Sequence, residues 1–343
     1  MHAQVSQDDQ DSLRGIPAAR LALIERIASK GKTAAQRRFL RDYFRGVAEE
    51  DLTQRPADTL VAMALRHFEM GKRSRKAGES RVQVFNPEAS RDGFDSPHTV
   101  IMVVTDDMPF LVDSLNVVFS QAEVAVHLIV HPVLAMQRDS QSRTESWQLF
   151  EINRLADNAS LDALKAKIEV ALADTRLAVE DWMPMRERVR TLTAELGGTP
   201  PPLPAEEVDE ARELLEWMED GHFVFLGYRY YRLKRGRSED QLIADSRTGL
   251  GILRRGNRAA DKTKITPLRG DVRARARDRE LLILTKANSV ATVHRPTYLD
   301  YVGVKTFNSR SEVSGEHRFL GLWTSTAYHR TPRDVPVLRR KVQ

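Results

Sequence analysis

Residues 98–139, HTVIMVVTDDMPFLVDSLNVVFSQAEVAVHLIVHPVLAMQRD, constrain the fold more than any other stretch of this chain. Thr99 to Val104 is an apolar, β-branched run, long enough for a buried strand and too short for a helix. Thr105, Asp106 and Asp107 stop it. Pro109 then sits where a first-turn proline is tolerated, because its missing N–H has no intrahelical partner there. Phe110, Leu111, Ser114, Leu115 and Val118 recur at helical spacing, with no Gly or Pro after the start. Glu123 to Met136 returns as one long β-rich run. Adding a strand at Trp147–Ile152 and a helix at Leu161–Ala173 predicts a small α/β sandwich with one sheet face covered by helices.

The rest of the chain has the make-up of a soluble protein with room for two cores: 343 residues, 41% hydrophobic and 29% charged. It has no cysteine, which excludes disulfides, thiolate catalysis and Cys-ligated zinc. No run approaches the roughly 18 apolar residues of a membrane span, and the N-terminal MHAQVSQDDQDSLRG has no apolar signal core. A cytoplasmic protein without membrane partners is expected. The net charge of +5 is uneven: residues 229–279 hold 16 Lys/Arg against 6 Asp/Glu. Few aromatics interleave with these charges, so the segment reads as solvated loops and not as a nucleic-acid platform.

Residues 1–17 read as a disordered tail. Helices are predicted at Ala34–Val47, with Phe39, Leu40, Tyr43, Phe44 and Val47 on one face, and at Pro56–Gly71. A strand at Arg81–Asn86 follows. The helical signal after Leu161 continues to Leu196 with a break at Pro184. The Gly-Gly-Thr-Pro-Pro-Pro-Leu-Pro run at 197–204 reads as a linker between a first domain, 18–196, and a second, 205–343. The second opens with a helix over Ala205–Glu219, closed by Asp220-Gly221. Strands at Phe223–Leu233, Leu281–Lys286, Tyr301–Phe307 and Phe319–Tyr328 predict an antiparallel sheet. The 234–280 connection is too long to be structureless throughout a compact domain, and part of it is expected to be helical or disordered. The closing Val335–Gln343 reads as entry to a further helix, so truncation ahead of further domains is expected.

Chemical motifs are sparse. Gly249-Leu250-Gly251 is the nearest approach to a dinucleotide fingerprint, but it lacks the third glycine and the preceding buried strand. His127 and His131 have metal-ligand spacing only on a helix, and here they fall in a strand-type run. His294, Arg295, Tyr298 and Asp300, with Glu316, His317 and Arg318, could either line a polar pocket or serve structural hydrogen bonds. Asp106, Asp107 and Asp113 are the densest acidic group near a helix start; either they cap that helix or they hold a small ligand.

Seven segments carry a resemblance. TDDMPFLVDSL, VHLIVHPV with a nearby RD, LAVEDWMPM, LLEWMEDGHFVFLGYRYY, GLGILR, VHRPTYLDYVGVK and GEHRFLGLWTSTAY, in this order, resemble the N-terminal region of the large bacterial NAD-specific glutamate dehydrogenases, from about Arg38 to Lys341. The resemblance implies an α+β chain: N-terminal helices with an ACT-like βαβ sandwich, then a PAS-like antiparallel-sheet domain. It implies a parent enzyme that turns L-glutamate, NAD and water into 2-oxoglutarate, ammonia and NADH, with NAD bound and catalysis performed downstream. No catalytic residue, cofactor site or metal site is expected here, and the chain alone is expected to be inactive. The implied role is regulation and assembly within a homo-oligomer, with an amino acid as effector. In ACT domains the loop after the first strand contacts such effectors, which makes Asp106, Asp107, Met108, Pro109, Phe110, Asp113 and Ser114 the candidate effector and assembly residues. The family loops that bind ligand carry a glycine here, and Pro109 removes an amide donor. The alternative from another class is a free-standing amino-acid-sensing or oligomerisation module.

Overall fold

The unbroken apolar run at 99–104 is a strand buried on both faces, and this governs the first half of the molecule. The computed structural model describes residues 16–138, 141–254, 265–328, 331, 335–337 and 339. The expected tail therefore lies outside the described residues up to position 15. The chain divides into two compact units, up to Leu172 and from Ala173.

In the first unit four helices come first: α1 (Ala18–Ala28), α2 (Ala34–Phe44), α3 (Glu49–Thr53) and α4 (Ala57–Gly71). The sequence pattern predicts neither α1 nor the short α3. Thr33 and Gln36 form a reciprocal capping box that starts α2. Strand β1 (Arg81–Phe85), the short α5 (Ala89–Asp92), β2 (Thr99–Asp106), α6 (Leu111–Gln121), β3 (Val126–Val130), β4 (Val133–Arg138), β5 (Gln141–Ile152) and α7 (Asn158–Glu180) follow. The sheet runs β1-β2-β5-β3, with β4 also on β5, and every pairing is antiparallel. Because β2 and β3 flank β5 and both oppose it, they are parallel to each other and joined through α6, a split βαβ unit.

Three expectations need correction. The single long strand over Glu123–Met136 is two strands separated at His131-Pro132, and proline has no N–H to continue a ladder. Strand β5 begins at Gln141, well before the expected Trp147, because its polar first half pairs with β4. A third correction concerns layers: helices cover both faces of the sheet. Ile101, Val103, Phe150 and Ile152 pack on α6 and α7 through Leu115, Phe119, Leu164 and Ile168. Val100, Met102, Val104, Trp147 and Leu149 pack on the N-terminal helices through Leu40, Tyr43, Leu60 and Met63. Alternate residues of one strand thus enter two cores.

The N-terminal helices meet the sheet at Trp147, which is fully buried among Phe39, His67 and the end of α4. A Cβ on Gly71 would lie 1.9 Å from the indole Cη2, so only glycine allows that approach.

The second unit contains α8 (Trp182–Gly198) and α9 (Ala205–Trp217), then β6 (Phe223–Lys234), β7 (Asp240–Ala244), β8 (Leu250–Gly251), β9 (Ile265–Leu268), α10 (Gly270–Arg277), β10 (Leu282–Val290), β11 (Tyr298–Phe307), β12 (Val313–Trp323) and α11 (Ser325–Tyr328). The antiparallel sheet is ordered β10-β11-β12-β6-β7-β9, with β8 on β6. Met185, Val189 and Leu192 of α8 share one core with Val208, Ala211 and Leu214 of α9 and with Phe225, Val302 and Phe319 of the sheet. The 197–204 run therefore joins two helices of the same unit, and the division of the chain falls within α7. The helical break expected at Pro184 falls at Asp181, leaving Pro184 in the first turn of α8. The last strand begins earlier than expected and stops at Trp323; Ser325–Tyr328 is helical. Within 234–280, α10 supplies the expected helix, and 255–264 lie outside the described residues.

Gly71→Ala is expected to destabilise the first unit by about 1–3 kcal/mol through overpacking against Trp147. Gly46, with nothing within 4 Å of a built Cβ, is the control. Urea unfolding followed by tryptophan fluorescence checks this; equal stability of the two alanine variants would contradict it.

Candidate functional site

The loop between β2 and α6 does not form the acidic helix cap considered from sequence. The N-cap position of α6 is Phe110, held at φ 68°, and no side chain caps the helix. A non-glycine residue in this left-handed region is strained. Pro109 lies ahead of the cap position and is exposed, as are Asp107 and Asp113. Asp107 keeps its backbone N–H on the Thr144 carbonyl at 3.2 Å. Met108 is half-buried against the α6–α7 core, and Ser114 is buried, its N–H donating to the Phe110 carbonyl at 2.9 Å. Asp106 is the last residue of β2, and its carboxylate meets the segment that follows α4. There it accepts from Arg75 Nη2 at 2.5 Å and from the Gly78 N–H at 2.8 Å.

Asp106 stands directly opposite Glu145 in the β2–β5 ladder. Like charges in that position repel. Arg75 resolves the conflict by donating to both, at 2.5 Å to Asp106 and 2.8 Å to Glu145. Glu145 has no solvent exposure and is further held by Arg138 through Nε at 2.9 Å and Nη2 at 2.7 Å, and by the Trp147 indole N–H at 3.2 Å. Burial alone pushes the Glu145 carboxyl up; the hydrogen bonds from Arg138 and Arg75 outweigh it and keep the group below its ordinary range. Arg138 Nη2 also donates to the Gly71 carbonyl at 2.6 Å, so the same cluster ties the end of α4 to the sheet. No periodicity in the sequence marks Arg75, Arg138 or Glu145. An Arg and a Glu seven positions apart across a hairpin were the available signal.

Comparison with known proteins adds the ancestry. Residues 39–168 match the ACT1 domain of glutamate dehydrogenase. The NAD-specific glutamate dehydrogenase of Halomonas elongata is 33% identical over 349 residues, covering 95% of this chain and 22% of that protein. That of Pseudomonas aeruginosa is 32% identical over 321 residues, 89% of this chain and 20% of the other. The chain is homologous to the NAD-specific glutamate dehydrogenases. A third relative of the same description, from Mycobacterium tuberculosis, is 26% identical over 84% of the chain and 17% of its own length. The chain thus spans about a fifth of the length of the relatives it matches. The ACT-domain match contains β1 to β5, α6 and the cluster around Glu145.

The residues present do not fit NAD at the one glycine pair that invites it. The Gly251 N–H, which a pyrophosphate would need, donates to the Asp181 carboxylate at 2.7 Å, and Arg254 closes the same carboxylate at 3.0 Å. A fixed anion there repels a second one. His127 and His131 do not converge either: the first bonds Asn153 at 2.6 Å and the second Ser146 at 2.9 Å. Among the described residues no group of three or more His, Asp or Glu side chains is placed to hold a metal ion. The residues grouped from 294 to 318 also separate. Strand alternation sends Glu316 and Arg318 to one sheet face, with Tyr301, and His317 to the other, with Tyr228. Asp300 serves the Trp323 N–H at 3.1 Å and Lys286 at 2.6 Å.

Two outcomes follow. Glu145→Gln leaves Arg75 and Arg138 buried without their shared counter-charge, at an expected cost of about 3–5 kcal/mol, read by chemical unfolding. The pH dependence has a second source in His67, which is fully buried between Tyr43 Oη at 2.8 Å and the Val103 carbonyl at 3.2 Å. Burial lowers its pKa to about 3, despite the carbonyl bond that raises it. Its unfolded value is near 6.5, so folding is disfavoured progressively as pH falls below that. Stability should drop by about 2 kcal/mol between pH 7 and 5 from this group alone. His67→Gln should flatten that slope; an unchanged slope would show that His67 protonates in the folded protein.

Proposed function

We propose that this chain is the N-terminal regulatory and assembly segment of an NAD-dependent glutamate dehydrogenase whose catalytic domain lies elsewhere in the parent. The parent reaction would be oxidation of L-glutamate with NAD and water to 2-oxoglutarate, ammonia and NADH. The single observation that carries the reading is the match of residues 39–168 to an ACT domain of glutamate dehydrogenase, on a sheet that contains a split βαβ unit. The second unit reads as PAS-like, on the strength of its antiparallel sheet with α8 and α9 on one face. The partners are further copies of the parent and an amino-acid effector. No membrane partner is proposed: no described helix is long and apolar enough to cross a bilayer.

In this reading Asp106, Asp107, Met108, Pro109, Phe110, Asp113 and Ser114 act as an effector and assembly surface. The exposed Asp107, Pro109 and Asp113 would meet the partner or ligand, and Asp106 and Ser114 would hold the loop. Phe110 holds a left-handed backbone at the start of α6, and relief of that strain is the differential term through which an effector would act.

Two experiments test it. The purified 343-residue chain, given L-glutamate and NAD, should form no more NADH than a heat-killed sample; measurable turnover would overturn the assignment of catalysis to another part of the parent. In the parent enzyme, Asp106→Ala with Asp107→Ala should change the oligomer distribution or the effector response. The local cost of about 1.5–3 kcal/mol comes from the hydrogen bonds lost by Arg75 and not from a helix cap. Collapse of turnover chemistry with assembly and every effector response intact would contradict the regulatory reading.

A further inference from the structure

The second unit contains a cleft of about 680 Å³ that the roles above leave unused. Its floor is one face of the sheet. Strand alternation brings Tyr228 and Tyr230 of β6 to that face, and the ladder sets Tyr230 opposite His317 of β12. Its wall is α8, where Glu187, Arg188 and Thr191 follow at helical spacing. Gly315 is part of the construction: a Cβ there would come within 2.5 Å of Tyr230 Oη, so glycine lets that ring lie along β12.

The hydrogen-bond directions leave donors facing the space. Arg188 Nε donates to Tyr228 Oη at 3.0 Å. Tyr228 Oη lies 2.8 Å from His317 Nδ1. Burial, and then the charge on Arg188, lower the His317 pKa to about 3, so the ring is neutral near pH 7. We assign the Tyr228 O–H as the donor to Nδ1, the tautomer that places the ring proton on Nε2. Among the described residues nothing accepts that Nε2–H. The Arg188 Nη atoms make no hydrogen bond there either; their charge partner is Glu195, 3.8 Å away and half-exposed. His317 and Thr306 also line a second, smaller cavity of about 250 Å³. A cleft walled by tyrosine rings, with a guanidinium edge and an imidazole nitrogen open to it, has the composition of a small-molecule site.

The geometry points to this cleft as a binding site for a small organic carboxylate, with Arg188 taking the carboxylate, His317 Nε2 donating to it, and Tyr228 and Tyr230 packing on its hydrocarbon. Guanidinium and carboxylate make a short charge-assisted pair. The assignment stands independently of the regulatory reading, since binding is measured on this chain directly.

Isothermal titration of the 343-residue chain near neutral pH, at constant ionic strength, uses succinate, its neutral analogue succinamide, and inorganic phosphate. Saturable succinate binding is expected, with succinamide and the Arg188→Gln variant each weaker by about tenfold or more. Because Arg188→Gln also disturbs Tyr228, the unaltered chain labelled at histidine provides a second reading. The His317 Nε2–H resonance should move and saturate with succinate at the same concentrations. No saturable carboxylate binding, phosphate binding tighter than succinate, or succinate binding that leaves the His317 resonance unmoved would each overturn the assignment.

Discussion

The first unit depends on one buried carboxylate. Glu145 sits in the strand that every neighbour in the sheet except β1 pairs with, and it has no contact with water. An isolated carboxylate there would be prohibitive or would protonate. Arg138 meets it from the hairpin partner strand, Arg75 from the segment after α4, and Trp147 from two residues along. Each of these groups is also a structural joint. Arg138 holds the end of α4, Trp147 fills the space that Gly71 vacates, and Arg75 carries Asp106 at the mouth of the candidate loop. Replacing such a cluster with apolar residues need not destabilise a protein, whereas removing one member does. Its consequence here is geometric: the helix layer, the sheet and the loop are referenced to the same few atoms.

That dependence explains what could be read from sequence. Apolar periodicity exposes strands and helices whose burial is one-sided or complete, so β2, α2, α4, α6, α9 and β6 were legible within a few residues. It is silent about polar strands. Gln141–Ser146 pairs along its length with β4 and Gly315–Arg318 with β11, yet both carry polar side chains, and the buried Glu145 and His317 among them are satisfied by Arg75 and Tyr228, 70 and 89 residues away. The covering of the second sheet face was missed for a related reason. An uninterrupted apolar run such as VIMVV says that both faces are buried but not by what. The acidic pair at 106–107 looked like a cap because local sequence contains only local partners; the actual partner, Arg75, is 31 residues upstream.

Homology and geometry divide the labour between the two units. The ACT-domain match covers the sheet and loop of the first. The second carries its polar groups on opposite faces of one strand: Glu316 and Arg318 are paired with each other and with Tyr301, while His317 and Arg188 keep donor capacity toward a cleft. A face whose charges are all matched stabilises, and a face with unmatched donors is available to a ligand. A chain whose described glycine turn is occupied by its own Asp181 has no such opening for a dinucleotide.

Arg138, Glu145 and Trp147 clamp the N-terminal helices to the ACT-like sheet as one body. Native-state hydrogen exchange in the unaltered chain tests this most directly. The amides of α4 and those of β2 and β5 should open together, with one free energy and one dependence on denaturant. Opening of α4 at distinctly lower free energy, while β2 and β5 stay protected, would contradict it.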